Sequence, residues 1–395
     1  MRIGIFGGTF NPPHRGHLQS SLTAAEQLGL DKLLIVPACV PPHKSVEEVT
    51  APPEQRLAMT RLLFAQQDFA EVSDIEICRG GVSFTIDTIT QLEKEYPGAQ
   101  LYLLLGTDSF MNIETWERYK EILGKVTLAV FARGKGDAKE IRSHAEKMQY
   151  EHGGRIRIIE NSAIEISSTD LRRLLTGREG NSLLGDSLYS YIIANRLYGA
   201  RPNFPWLREK AYSMLKAKRI PHVQGCEEEA ARLAACWGAD EGEAREAAIL
   251  HDITKKNPLE EQLILCEKYG IIADNVEMDS KKLFHAKTGA AIAKADFGVS
   301  EDVFNAILWH TTGRSGMTLL DQIIYIADYI EPTRDFDGVE ILRKLAYEDL
   351  SAAVLLGLEM SIEELAEKGI QPHNTTREAI DFFQTRKDPI DETIW

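Results

Sequence analysis

The order of apolar patterns along the 395 residues predicts two architectures in series: an α/β half on a parallel sheet with helices on both faces, then an all-α half. Three observations carry this. Up to about residue 195, short apolar runs alternate with amphipathic helical stretches, the βα rhythm of a parallel sheet. From about Trp206 onward strand alternation stops and apolar spacing becomes helical. Between them Gly199-Ala200-Arg201-Pro202-Asn203-Phe204-Pro205 gathers turn residues and two prolines, which marks a boundary. Domains are therefore expected at 1–198 and 203–395, and a chain of this length can bury two cores.

In the first half the spacing predicts strands at Arg2–Phe6, Lys32–Val36, Val72–Ile77, Leu101–Leu105, Thr127–Phe131 and Ile156–Ile159. Helical stretches lie between them, as at Glu54–Gln66 and Thr85–Glu95. Ligands of such sheets sit at the carboxyl ends of the strands. In the second half Glu227–Trp237, Ala244–Leu250, Thr288–Phe297 and Leu319–Tyr329 have helical spacing, and no internal repeat relates the halves. Leu350–Gly369 is a further helical stretch, able to close the second domain or to pair with another chain.

A formal net charge of −15 argues against broad electrostatic binding of nucleic acid or anionic membrane. Phosphate substrates remain open, because local cations or metals reverse the field inside a cleft. Cys39, Cys78, Cys226, Cys236 and Cys266 form no Cys-x-x-Cys pair, so reduced core thiols are expected rather than a disulfide framework or zinc knuckle. The N-terminus has no signal-peptide layout and no apolar run has membrane length, so a cytoplasmic enzyme is expected.

The first expected strand runs into Gly7-Gly8-Thr9-Phe10-Asn11-Pro12-Pro13-His14-Arg15-Gly16-His17-Leu18. Glycines let backbone approach a phosphate, and the N–H groups of the following helix favour an anion at the same place. His14 and His17 share a helix face and can donate to phosphate oxygens as charge grows in a transition state. A strand-to-helix turn with two capping histidines is the plainer alternative. Neither a Walker A motif nor Gly-x-Gly-x-x-Gly occurs, which removes the main support for a kinase or dehydrogenase.

This segment resembles the nucleotidyltransferases with a His-x-Gly-His signature, and within them the bacterial nicotinate-nucleotide adenylyltransferases. Further matches are Pro41-Pro42-His43-Lys44, Ser83-Phe84-Thr85-Ile86-Asp87-Thr88, Gly106-Thr107-Asp108-Ser109 with Trp116, Phe131-Ala132-Arg133, and Ile166-Ser167-Ser168-Thr169-Asp170-Leu171-Arg172. The resemblance covers nearly all of residues 1–195 and implies a Rossmann-like fold. It implies an ATP site of Gly7, Gly8, Thr9, Phe10, His14, His17, Gly106, Asp108, Ser168, Thr169 and Arg172, with His14 and His17 catalytic. It implies a nicotinate mononucleotide site of Lys44, Thr85, Thr88, Trp116 and Arg133. Physically, Ser168, Thr169 and Arg172 lie at an expected helix start suited to phosphates. Asp108 could accept from a ribose hydroxyl or cap the next helix, and Trp116 could stack on a pyridine ring or be core; the resemblance points to the first of each. The implied reaction is in-line attack of the mononucleotide phosphate on the α-phosphate of ATP, with Mg²⁺ held through substrate oxygens.

In the second half His222, His251-Asp252, His285, His310 and Asp328 fall in helical segments at long spacings. Four imidazoles and two carboxylates suffice for two ions such as Fe, Mn, Co or Zn, with one carboxylate bridging. Scattered helix histidines are the plainer alternative. The contexts His222-Val223-Gln224-Gly225, His251-Asp252-Ile253-Thr254-Lys255, His285-Ala286-Lys287-Thr288-Gly289, Trp309-His310-Thr311-Thr312-Gly313 and Ile326-Ala327-Asp328-Tyr329-Ile330-Glu331-Pro332 resemble the HD-domain metal phosphohydrolases. Within these the segment from about Trp206 to about Glu367 is most similar to symmetrical diadenosine tetraphosphate hydrolases. That implies one metal on His222, His251, Asp252 and Asp328, a second on His285, His310 and the shared Asp252, and iron as first choice. Lys255, one turn beyond His251, can reach phosphate or stand as an exposed helix lysine; as a phosphate contact it counts among the catalytic candidates. Arg314 and Arg334 are weaker phosphate candidates outside that set.

Other readings differ in acceptor, substrate or class. The first half could modify another phosphate ester such as phosphopantetheine, against which Pro41–Lys44 and Ser83–Thr88 argue. The second could cleave a deoxynucleotide, a cyclic dinucleotide or a guanosine alarmone, or act as a metal-bound sensor of the first.

Overall fold

The sheet grows outward from β1 (Arg2–Gly8), whose Ile3-Gly4-Ile5-Phe6 core is buried on both faces, as in a parallel sheet covered by helices on each side. The structure is a computed structural model and describes residues 1–42, 51–132, 137–160, 164, 166–272 and 281–386. It falls into two units, Met1–Arg201 and Pro202–Trp395.

In the first unit β2 (Lys32–Pro37), β3 (Ala70–Val72), β4 (Gln100–Gly106), β5 (Thr127–Ala132) and β6 (Arg155–Glu160) join β1 in the order β3-β2-β1-β4-β5-β6. Every pair is parallel. Five of the six expected strands lie inside observed ones. Val72–Ile77 does not, because the strand ends at Val72 and Ile75–Arg79 is a helix. The alternation of Ser73, Ile75 and Ile77 imitates a strand, but Ser73 N–H makes the last bond to Ile35 O, and Cys78 N–H then closes a helical turn on Asp74 O. The chain goes from β1 to β2 on one side and later crosses to β4 on the other. The carboxyl ends of β1 and β4 therefore flank the switch point, where such sheets bind ligands.

The second unit is helical, with no strand among the described residues. Its central helix, Leu319–Ile330, buries Leu320, Ile323, Ile324, Ile326 and Ile330 against Ile220–Trp237, Glu241–Leu250, Glu301–Trp309 and Leu350–Glu367. Thr318 starts it: its Oγ1 accepts from Asp321 N, while Asp321 Oδ2 accepts from Thr318 N, a reciprocal cap. Pro332 forbids the helical conformation at the residue before it, so the helix stops and Glu331 takes φ −53, ψ 156. Leu350–Glu367 packs on Leu319–Ile330 and Val339–Glu348 of its own unit. Among the described residues no helix is long and apolar enough to cross a membrane.

Candidate functional site

The β1 loop is held by donors reaching its carbonyl oxygens from remote elements. Arg56, fully buried in the Pro53–Phe64 helix, donates from Nη1 to Thr9 O at 2.8 Å, from Nη2 to Cys39 O at 2.8 Å and from Nε to Ala51 O at 3.1 Å. One guanidinium thereby joins the segments after β1 and β2. Arg172 Nη1 donates to Asn11 O at 2.7 Å, Ser168 Oγ donates to Pro12 O at 2.9 Å, and the Tyr198 hydroxyl donates to Asn11 Oδ1 at 2.9 Å. The negative ends of the Thr9, Asn11 and Pro12 peptides are thus answered by protein, which suits a loop that must face an anion. Ser168 and Thr169 open the Ser168–Thr176 helix, where Ser167 caps by accepting from Asp170 N.

His14 precedes the Arg15–Leu28 helix and is buried; burial pulls its imidazole down from 6.5 to about 4, so it is neutral at physiological pH. His17, one turn on, accepts the His14 N–H at Nδ1 (3.2 Å), so its neutral ring carries the proton on Nε2 as a donor. The two rings lie 3.7 Å apart between centroids, and Phe10 packs edge-on against His17. Gly16 is required: a Cβ there would stand 2.9 Å from Ile164 O and 3.0 Å from His14 Nδ1.

Across the switch point Gly106 caps Thr107–Met111, and Thr107 Oγ1 donates to Phe131 O at 3.0 Å, tying β4 to β5. Asp108 stands exposed in the first turn of that helix. Thr85 opens the Thr85–Glu95 helix, and Trp116 is half-buried on the first unit's core. Thr88 is different. Its buried hydroxyl donates to Glu76 Oε1 at 2.6 Å and accepts from Arg79 Nη2 at 3.0 Å, so it is engaged inside the fold. Lys44 and Arg133 lie outside the described residues.

In the second unit the six expected metal ligands meet. His285 Nε2 stands 3.2 Å and His310 Nε2 3.8 Å from Asp252 Oδ1; His251 Nε2 stands 3.4 Å and His222 Nε2 3.8 Å from Oδ2. Asp328 Oδ1 is 3.0 Å from His222 Nε2 and 3.9 Å from His251 Nε2. The other ring nitrogens fix the tautomers. His222 Nδ1 donates to Glu331 Oε1 (3.0 Å), His251 Nδ1 to Ala248 O (2.7 Å) and His310 Nδ1 to Ile307 O (2.6 Å). Each Nε2 therefore turns a lone pair inward. His222 and His251 face each other so at 3.3 Å, and His310 meets His285 Nε2 at 3.1 Å. Lone pairs at such distances repel unless a cation lies between them, and this donor set fits transition-metal ions.

Burial opposes ionisation of Asp252 and of Asp328, yet Lys255, joined at Asp328 by Arg334, holds both carboxyls well below the usual carboxylate range. Burial pulls His285 and His310 down, keeping them neutral as metal ligation requires. Lys255 Nζ reaches Asp252 Oδ1 at 3.0 Å, Arg219 Nε reaches Oδ2 at 2.5 Å, and Arg334 Nη2 reaches Asp328 Oδ1 at 2.6 Å.

The helical placement needs correction at four positions. His251 and His310 cap the carboxyl ends of Glu241–Leu250 and Glu301–Trp309, and Asp252 and Lys255 lie in the turn beyond the first of these rather than on a helix. Arg56, Arg219, Cys226 and the supporting role of Glu331 are absent from the sequence expectation. Signals did exist: Arg56 shares a helix face with Thr60 and Leu63, and Cys226 is one turn from His222. Gly225 makes room for Glu331, since a Cβ there would stand 2.6 Å from Glu331 Oε2. Beside the cluster opens a cavity of about 920 Å³, lined by His310, Asp328, Tyr329, Arg334 and Phe336 and edged by acids including Glu364.

Residues 5–174 match the family model described as cytidylyltransferase-like, and residues 219–333 match the HD domain model. The chain is 36% identical over 217 residues to "Probable nicotinate-nucleotide adenylyltransferase" of Pelobacter propionicus, covering 51% of this chain and 100% of that protein. The Pseudomonas syringae pv. tomato protein of the same name is 36% identical over 214 residues, 51% of this chain and 95% of that one. A solved structure from Clostridium acetobutylicum, described as a "predicted HD superfamily hydrolase involved in NAD metabolism", is 38% identical. It covers 47% of this chain and 100% of its own, with a TM-score of 0.46.

Three outcomes are expected. Arg56→Met strands three carbonyls that the buried guanidinium serves and should destabilise the protein by about 3–5 kcal/mol in urea unfolding. Between pH 6.5 and about 4 unfolded His14 takes up a proton that the folded ring refuses, so stability falls as pH falls through that window. His14→Gln should flatten this part of the profile, read from unfolding midpoints at pH 7 and 5. Glu331→Gln weakens the acceptor behind His222 and should lower metal affinity about 10–100-fold by chelator competition; unchanged affinity would remove His222 from the ligand set.

Proposed function

The first half of this chain belongs to the nicotinate-nucleotide adenylyltransferase family and residues 219–333 form an HD domain, and from that premise we propose a bifunctional enzyme of two phosphate chemistries. The first unit would transfer AMP from ATP to nicotinate mononucleotide, giving deamido-NAD and pyrophosphate. The second would split diadenosine tetraphosphate symmetrically into two ADP.

The reading of the first unit is carried by the hydrogen-bonded junction of the β1 loop with the Ser168–Thr176 helix, beside a buried His14 and a His17 whose Nε2–H donates. ATP would lie across the switch point, with Gly7, Gly8, Thr9 and Phe10 beneath it and Gly106 and Asp108 at the ribose side. His17 would stabilise charge growing on the α-phosphate, while Ser168, Thr169 and Arg172 hold the departing phosphates with the Mg²⁺ that ATP brings. Lys44, Thr85, Thr88, Trp116 and Arg133 would form the acceptor's side; for Thr88 that requires its hydroxyl to leave Glu76 or Arg79. No covalent protein intermediate is needed; positioning and charge stabilisation suffice.

The reading of the second unit is carried by the His222 and His251 lone pairs, which oppose each other with no proton between them, and by His285, His310 and two carboxylates converging beside them. His222, His251, Asp252 and Asp328 would hold one metal, and His285, His310 and the shared Asp252 the other, iron being the first choice. When bound, the pair would supply Lewis acidity to a phosphoryl group. Lys255, Arg219 and Arg334 would neutralise phosphate charge. A cavity of about 920 Å³ accommodates one nucleoside with a short phosphate tail, and Tyr329 and Phe336 offer it stacking faces. The substrate's other nucleoside would extend outside.

Pyrophosphate release from ATP with nicotinate mononucleotide, beside phosphopantetheine as a competing acceptor, tests the first half. Folded His17→Ala should lose about 10²–10³-fold in kcat, and turnover with the other acceptor alone would refute the assignment. Diadenosine tetraphosphate should yield ADP as sole product, and Asp252→Ala should abolish that reaction; undiminished hydrolysis in this variant would sink the two-metal reading.

A further inference from the structure

We propose that Cys226 is a sulfur ligand to the metal at His222, His251 and Asp328, making this position a mixed nitrogen, oxygen and sulfur site. The proposal rests on the reading of the cluster as a two-metal centre.

Cys226 lies four residues after His222 on the Ile220–Trp237 helix, so both side chains leave the same face. Its Sγ stands 3.4 Å from His222 Nε2. Ligand atoms of His222, Cys226, His251 and Asp328 all lie within 4.8 Å of one another. The closest approaches are 3.0 Å between His222 Nε2 and Asp328 Oδ1, 3.3 Å between the two imidazoles and 3.4 Å between sulfur and His222; His251 to Asp328 is 3.9 Å. A tetrahedral ion with nitrogen or oxygen at about 2.0–2.2 Å and sulfur at about 2.3 Å sets ligand edges of roughly 3.3–3.6 Å. The observed values bracket that range.

An independent observation points to a cation at this spot. His222 and His251 spend their Nδ1 protons on Glu331 and on Ala248 O, which leaves two lone pairs opposed. The shared Asp252 reaches the same position through Oδ2, 3.4 Å from His251 Nε2 and 3.8 Å from His222 Nε2, but that oxygen also accepts from Arg219 Nε at 2.5 Å, and its Oδ1 faces His285 and His310. Cys226, 1% exposed, adds a donor that belongs to this position alone. A buried thiol usually packs as a small hydrophobe, but this one stands 3.4 Å from an imidazole nitrogen and within 4.8 Å of two further ligand atoms. On coordination the S–H bond breaks, its proton passes to solvent, and the sulfur lone pair forms the bond to the metal. A soft donor here favours Fe(II), Co(II) or Zn(II) over Mg(II) and Mn(II).

The test loads the full chain with Co(II) alone. The expected result is two cobalt ions per chain and a near-ultraviolet sulfur-to-cobalt charge-transfer band that is lost in Cys226→Ser. X-ray absorption of the wild-type cobalt protein should show a sulfur neighbour at about 2.3 Å, a reading that needs no variant to fold. Two bound cobalt ions without sulfur, or a band that persists in Cys226→Ser, would overturn the ligand role and leave the two-metal centre standing. Failure of the wild-type chain to bind cobalt would overturn both.

Discussion

An ion withdrawn from water must be answered by the protein itself, and each unit is arranged around one such ion. In the first it is the Arg56 guanidinium, which carbonyl oxygens from three separated loop positions surround. In the second it is the Asp252 carboxylate, against which imidazoles from four segments, a lysine and an arginine converge. The two cases differ in completeness. Arg56 is satisfied by the fold and serves as a brace. Asp252 sits among lone pairs that protein alone leaves opposed, and so its surroundings call for further cations.

The surrounding elements make sense as supports for those two ions. The cap at Thr318 fixes where Leu319–Ile330 begins and hence where Asp328 falls along it. Pro332 fixes where the helix ends, which brings Glu331 to the Nδ1 edge of the His222 ring. Gly225 leaves the space that Glu331 fills. In the first unit Gly16 does the equivalent for His14 and Ile164 O. Local backbone requirements thereby become ligand geometry.

Sheet order apart, much of this was legible in the sequence. Periodicity located five strands because parallel strands buried on both faces read as continuous apolar runs. It misplaced Val72–Ile77, where the strand stops at Val72 and a short helix begins at Ile75. The six histidine and aspartate positions of the second unit were legible as residue types in context, but the placement of His251, Asp252 and His310 at helix ends was not, since helix boundaries depend on capping. Arg56 and Cys226 were invisible for a different reason. An arginine in a helix reads as exposed and a cysteine as core until the fold shows what surrounds each. Thr88 illustrates the reverse: its motif suggests a ligand contact, whereas its hydroxyl lies within a Glu76–Arg79 network.

His251 and His310 each terminate a helix, Glu241–Leu250 and Glu301–Trp309 respectively. The carboxyl end of a helix carries roughly half a negative charge from its unpaired carbonyls. Two such macrodipole ends add to the negative charge of Asp252 and Asp328, against which Lys255, Arg219 and Arg334 stand. The lysine and arginines that reach Asp252 and Asp328 therefore answer the two helix ends as well as the two carboxylates.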